Sequence, residues 1–182
     1  MAGSRQAQPI EIRLDEVSQL FNTLDPFPFH ERDLDSDAEE YIVGWAREVA
    51  HQGALSIVVH LPPSEADSAA AKGLQTSLSR FFAYRADVLD RDFNELFRVG
   101  RMSLLVGAAV LGLCLAGSQV IASWSAGTYL GRFMGESLVI LGWVANWRPI
   151  EIFLYDWWPL WRRRNLYRRL AAATVTIKPN GA

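Results

Sequence analysis

Arg132 and Glu136 carry opposite charges and stand four residues apart in a stretch that is otherwise apolar. On a helix that spacing stacks them on one face. A carboxylate inside a membrane is costly and takes a partner or water, so two chemistries fit the pair. Arg132 holds Glu136 in an intrahelical ion pair at the outer interface, or Glu136 joins copies of itself in a ring that lines a pore. Gln119 and Asn146 also sit in apolar surroundings. They are candidates for polar glue between helices or for a place along the same pathway.

A second set surrounds Pro149. Arg148, Glu151 and Asp156 lie in a tryptophan-rich stretch, and the three-residue step from Arg148 to Glu151 allows pairing across a bend. The set reads as an interfacial anchor with snorkelling charges, or as a docking surface for lipid headgroups or a partner subunit. Arg162, Arg163, Arg164, Arg168 and Arg169 follow closely, which favours contact with anionic headgroups. A third set is made of small residues. Gly127, Gly131 and Gly135 form a stripe at four-residue spacing, and Ala108, Gly112 and Ala116 form another. Such stripes let helix backbones approach closely in lipid, either within one hairpin or between subunits.

Signatures of catalysis and cofactor binding are missing from the sequence. Gly135-Glu136-Ser137-Leu138 lacks the spacing of a nucleophile elbow, and no glycine-rich phosphate loop with lysine occurs. Glu31, Asp33, Asp35 and Asp37 alternate, but counting from Asp33 the sixth position of a calcium loop is Ala38 and the twelfth Gly44, so the pattern fails. Acids at a helix N-terminus explain the run better. The chain has one cysteine, Cys114, and its three histidines are not at ligand spacing. The expectation is therefore no catalytic, cofactor-binding or metal-binding residue, and a non-enzymatic protein.

The elements that position these residues follow from periodicity. Residues 1–8 read as a disordered lead-in, and with no apolar h-region before Pro9 no cleavable signal peptide is expected. Residues 9–68 read as an α/β domain. Ile10, Ile12 and Leu14 alternate with polar residues as in a strand, and Asp15 can cap a short helix through Phe21. Ser36 and Glu39 have capping-box spacing ahead of Tyr41, Ile42, Trp45 and Val49, with Gly53 placed to end that helix. Leu55 to Leu61 alternate again, stopped by Pro62 and Pro63. A strand, a helix and a strand favour a parallel pair with a right-handed crossover.

Apolar residues then recur every three or four positions from Leu74 to Phe97, without a proline. This predicts an amphipathic helix over 69–102 that continues unbroken into a first membrane span over 103–123. Ser103 to Gly131 holds no charged residue, and about 20 apolar residues span a bilayer core of about 30 Å. A second span is predicted over 128–148, then an interfacial Trp/Arg-rich segment over 149–170 that lies along the inner surface. Val175 and Ile177 alternate with polar residues in the last segment, 171–182, a C-terminal strand and tail whose strand is expected to return as the third of the sheet. The fold expected is an α/β cytosolic domain, a small mixed sheet plus helices, joined by a long helix to a two-helix transmembrane hairpin.

Charge agrees with this division. Through Arg101 there are 17 acids against 10 bases, and from Arg132 onward 3 acids against 8 bases. An acidic soluble part and a basic membrane-flanking part suit a membrane protein better than a nucleic-acid binder. The arginine cluster belongs on the cytosolic side, so two spans put both termini in the cytoplasm.

Leu20-Phe21-Asn22-Thr23-Leu24-Asp25-Pro26, with Glu31 to Asp35 and Ala38 to Ile42, and Gly142 to Pro149 through Tyr155-Asp156-Trp157-Trp158-Pro159, resemble a group of small bacterial inner-membrane proteins. The resemblance covers most of the chain after the lead-in. It implies an inner-membrane setting and carries over no activity and no functional residue. The leading expectation is an inner-membrane scaffold that forms a homo-oligomer or docks a partner. The alternative is a subunit of a small homo-oligomeric ion channel or transport component with Glu136 near the pore.

Overall fold

The structure, a computed structural model, describes residues 9–22, 33–49, 54–125 and 127–179. Glu31 and Gly53 lie outside them. The chain divides into two compact units, one combining the residues up to Leu89 with those from Arg162 onward, the other running from Asp90 to Trp161.

In the first unit β1 (Ile10–Arg13), β2 (Ser56–Leu61) and β3 (Thr174–Pro179) form one sheet in the order β1-β2-β3, with both pairings parallel. The expected return of the C-terminal strand is seen, but the sheet is wholly parallel rather than mixed, because helices separate each strand from the next in sequence. Ile10, Ile57 and Val175 stand in register, as do Ile12, Val59 and Ile177. Period two puts these on one face, and the four from β1 and β2 are buried.

Helix α1 (Ser36–Val49) buries Ile42, Val43, Ala46 and Val49. Tyr41 and Trp45, expected on that face, are instead 46 % and 39 % exposed. The cap also shifts by one residue from the expected Ser36. The Asp35 carboxylate accepts from the Asp37 N–H at 3.0 Å, and the Asp35 carbonyl accepts from the Glu39 N–H at 2.9 Å. The Glu39 side chain is thereby left for other work. After a short α2 (Pro63–Ala66), helix α3 (Ala69–Trp124) runs for 56 residues without interruption. Within the first unit it buries Leu74, Leu78, Phe81 and Phe82.

The outer edge of β3 has a specific cover. The Thr174 N–H donates to the Leu55 carbonyl, so the neighbouring polar groups of Ala173 and Val175 point away from β2. Gln75 of α3 meets both: its Nε2 donates to the Ala173 carbonyl at 3.1 Å and its Oε1 accepts from the Val175 N–H at 2.6 Å. One side-chain amide thus occupies the place of a peptide group on a further parallel strand. Pro179 brings no N–H to that edge. These devices blunt an edge that would otherwise recruit another strand.

In the second unit α3 continues past Gly100, and a turn follows in which Gly127 has φ of +97°, a conformation glycine adopts freely. Thr128 caps α4 (Tyr129–Ala145) by accepting from the Gly131 N–H. The helical path then passes through Asn146 into α5 (Trp147–Glu151), a π-helical turn (Ile152–Asp156) and α6 (Trp157–Ala171), whose end belongs to the first unit. Pro149 sits in the first turn of α5, where a missing N–H costs nothing. It therefore does not stop the helical path. Pro159 would crowd the Tyr155 carbonyl in a regular helix, and the widened π turn lies just ahead of it. Ile152 is fully buried and the Phe153 ring lies 5.8 Å from that of Phe97. The stretch expected to leave along the membrane surface thus rests, at least through Phe153, against α3.

Both α3 and the path Tyr129–Ala171 are long and apolar enough to cross a membrane, yet their most apolar windows are only 11 % and 22 % buried.

Removing the Gln75 amide should expose the β3 edge. Gln75→Ala is expected to cost about 1–2 kcal/mol for two lost hydrogen bonds, and to speed amide exchange at Val175 more than at Thr176. Hydrogen exchange followed residue by residue checks both.

Candidate functional site

The second unit is organised by a seam of small residues. Gly100, Gly107 and Cys114 recur every seven residues on α3 and are all buried. Opposite them, a methyl group on Gly142 would lie 2.8 Å from Leu111 Cδ1 and 3.1 Å from Cys114 Cβ. One on Gly107 would lie 2.8 Å from Asn146 Oδ1 and 3.0 Å from the Ala145 carbonyl oxygen, and one on Gly100 2.9 Å from Ile152 Cγ2. The glycines are therefore what allows the two limbs to touch.

The four glycines expected to pack helices divide differently. Gly135 makes ordinary contact with α3, 3.8 Å from the Ser118 carbonyl oxygen to a methyl placed there. Gly131 packs against the turn, where a methyl would collide with Ser125 Cβ. Gly127 supplies turn conformation and has nothing within 4 Å, and Gly112 likewise faces open space. Ala108, Gly112 and Ala116 are all exposed, so that stripe is not the seam of this chain. The sevenfold recurrence of Gly100, Gly107 and Cys114 is the signal that would have found it.

Asn146 belongs to the seam. It is 7 % exposed, and its Nδ2 donates to the carbonyls of Gly107 and Gly142, both at 3.0 Å. One amide group thus ties α3 to the end of α4.

Nearer the turn the limbs bound an open cleft of about 880 Å³, whose lining includes Ser118, Gln119, Ser125, Thr128, Arg132 and Glu136. Gln119, Arg132 and Glu136 thus line one cleft, while Asn146 is buried farther along the limbs. Arg132 and Glu136 are exposed, and among the described residues neither forms an ion pair, with the other or with a third group. The intrahelical pair offered by their spacing is not made.

Arg148, Glu151 and Asp156 do converge. Arg148 Nη1 lies 2.9 Å from Glu151 Oε2 and 3.2 Å from Asp156 Oδ2. Both contacts use Nη1 of a side chain that is 59 % exposed.

The first unit contains a cluster not anticipated from the sequence. Glu39 is 9 % exposed. Its Oε1 accepts from the Tyr167 hydroxyl at 2.6 Å and its Oε2 from Arg85 Nη2 at 2.5 Å. Helices α1, α3 and α6 meet there. Burial, then the hydrogen bond to Glu39, raises the Tyr167 pKa above 10.0. The Glu39 hydrogen bond and charge raise that of Arg85 against the opposing effect of burial. The Arg163 guanidinium lies 5.8 Å from the Tyr167 ring, a favourable cation–π distance. Glu39 precedes Ile42, Val43 and Ala46 on the buried face of α1, and that placement is the signal for its role.

Among the described residues no group of three or more histidine, cysteine, aspartate or glutamate side chains is placed to hold a metal ion. No protein-family description, curated protein or solved structure matches the chain.

Two measurements test these assignments. A raised tyrosine pKa favours the neutral phenol in the folded state, so this contribution to stability is complete below pH 10.0 and is lost as pH rises from there through the folded-state pKa. Tyr167→Phe is expected to cost about 1–3 kcal/mol near neutrality, because buried Glu39 loses a donor, and to flatten the alkaline fall in stability. Denaturation curves at neutral and alkaline pH read both effects. Gly107→Ala should force Asn146 out of its bonds and cost about 1–3 kcal/mol, whereas Gly112→Ala should be neutral by the same measure.

Proposed function

We propose that this protein is a non-enzymatic integral inner-membrane protein that acts as an oligomerising or partner-docking scaffold. The observation that carries the membrane setting is the outward direction of the apolar side chains on α3. Leu105, Val106, Leu113 and Val120 are 67 %, 62 %, 73 % and 56 % exposed, while small Gly100, Gly107 and Cys114 fill the seam. A core helix of a soluble protein has the reverse arrangement, large residues inward. Lipid is the environment that makes this one favourable.

The scaffold reading is supported by how the polar groups are used. Asn146 ties two helices, Arg148 is held by two carboxylates, and Glu39 joins three helices. Each is engaged in holding the chain together. The α/β unit would then stand in the bacterial cytoplasm with both termini, the arginines from Arg162 onward meeting anionic headgroups.

One observation favours a second reading, a small homo-oligomeric channel or transport component. The cleft gathers Gln119, Arg132 and Glu136 beside one another, and a single pair of spans is too thin to enclose a pathway alone. In that reading several copies assemble with Glu136 toward the lumen.

The mass of the purified protein in mild detergent, corrected for bound detergent, separates the readings. A scaffold dimer is expected, with Glu136→Gln causing no ion flux change in proteoliposomes. A closed assembly of four or more copies, with flux that Glu136→Gln alters, would support the channel instead.

A further inference from the structure

We infer that two copies of the chain associate through α4 around a twofold axis along the membrane normal, with Arg132 of each copy paired to Glu136 of the partner subunit. The inference rests on the membrane-scaffold reading and names the surface by which the scaffold would self-associate.

The exposed face of α4 has a regular pattern. Tyr129, Phe133, Glu136, Ile140 and Trp143 follow one another at alternating four- and three-residue steps, the spacing of a helix–helix seam. The four apolar members are 88 %, 54 %, 63 % and 61 % exposed. This stripe is distinct from the one that meets α3, which runs through Gly135, Gly142 and Asn146. The chain thus leaves free a second seam of large side chains, with one carboxylate in its middle.

That carboxylate selects the occupant. Apolar residues on the stripe are at ease against lipid, but Glu136 is not. Arg132 flanks the stripe one turn earlier and, among the described residues, is equally without an ion-pair partner. A twofold interface is self-complementary: what one surface lacks, its copy supplies. Two parallel α4 helices in register place Arg132 one turn from Glu136 of the partner subunit, within reach of the long arginine side chain. The pair forms twice, and both charges are neutralised within the apolar stripe. The cleft, which Glu136 and Ile140 of the stripe also line, adds a concave seat for the convex partner helix. The small-residue face through Gly112 has no comparable demand, since lipid satisfies it.

Disulfide crosslinking of the full chain in native membranes tests the interface. In a Cys114→Ser background, Ile140→Cys is expected to give a crosslinked dimer and Gly112→Cys to give none. Adding Arg132→Glu or Glu136→Arg should each weaken the dimer about tenfold, because each puts like charges together at an interface. The swapped double variant should recover it. Crosslinking at Gly112→Cys but not at Ile140→Cys would overturn the interface, as would reversals without effect or a double variant that stays monomeric. Those outcomes leave the scaffold reading in place. Release of the protein from membranes by alkaline carbonate, without detergent, would overturn both.

Discussion

The close approach of main chain to main chain along the Gly100, Gly107 and Gly142 seam is the constraint from which the second unit follows. At Gly107 a single added methyl group would meet the Asn146 amide oxygen at 2.8 Å. With glycine there, the Asn146 amide reaches the carbonyls of both limbs at once. In an apolar medium the packing of small residues and such hydrogen bonds replace the hydrophobic effect as the source of helix association. Filling the seam with small residues also decides where the large ones go. Leucine, valine, phenylalanine and tryptophan are turned outward.

The same economy governs the polar groups. A buried carboxylate without donors is strongly destabilising, and Glu39 has two, one from α3 and one from α6. This ties the C-terminal helix to the N-terminal part of the chain, and β3 follows α6 into the sheet. A parallel edge strand added last exposes unpaired backbone groups, and Gln75 answers two of them with a single amide. The α/β unit is therefore closed by contacts that α6 and β3 make with α1, α3 and β2, which makes them part of the domain.

Against this background Arg132 and Glu136 stand out. Glu39, Gln75, Asn146 and Arg148 are engaged in holding elements together, but these two lie in an open cleft without an ion-pair partner among the described residues. Their opposite signs and one-turn offset give the cleft a dipolar character. A self-associating scaffold uses this by pairing the charges between copies, and a channel uses it by facing the carboxylate to water. The physical difference is whether the charges see each other or see solvent.

The apolar run from Ser103 to Gly131, the lack of a break between Leu74 and Trp124, and the alternation around Val175 and Ile177 were decisive on their own. Length, charge and periodicity are local properties, and they determined the long helix, the two apolar limbs and the returning strand. The partners of the small and polar residues were not legible in this way. Gly112 and Gly107 look alike in sequence, as do the four-residue stripe through Gly131 and the seven-residue one through Gly100, Gly107 and Cys114. Which of them meets another backbone depends on the angle and register at which two helices cross. Glu39 likewise has the spacing of a capping box, and only the arrival of Arg85 and Tyr167, 46 and 128 residues away, turns its carboxylate inward. Contacts of that separation are set by how the elements pack, and so the tertiary structure alone decided them.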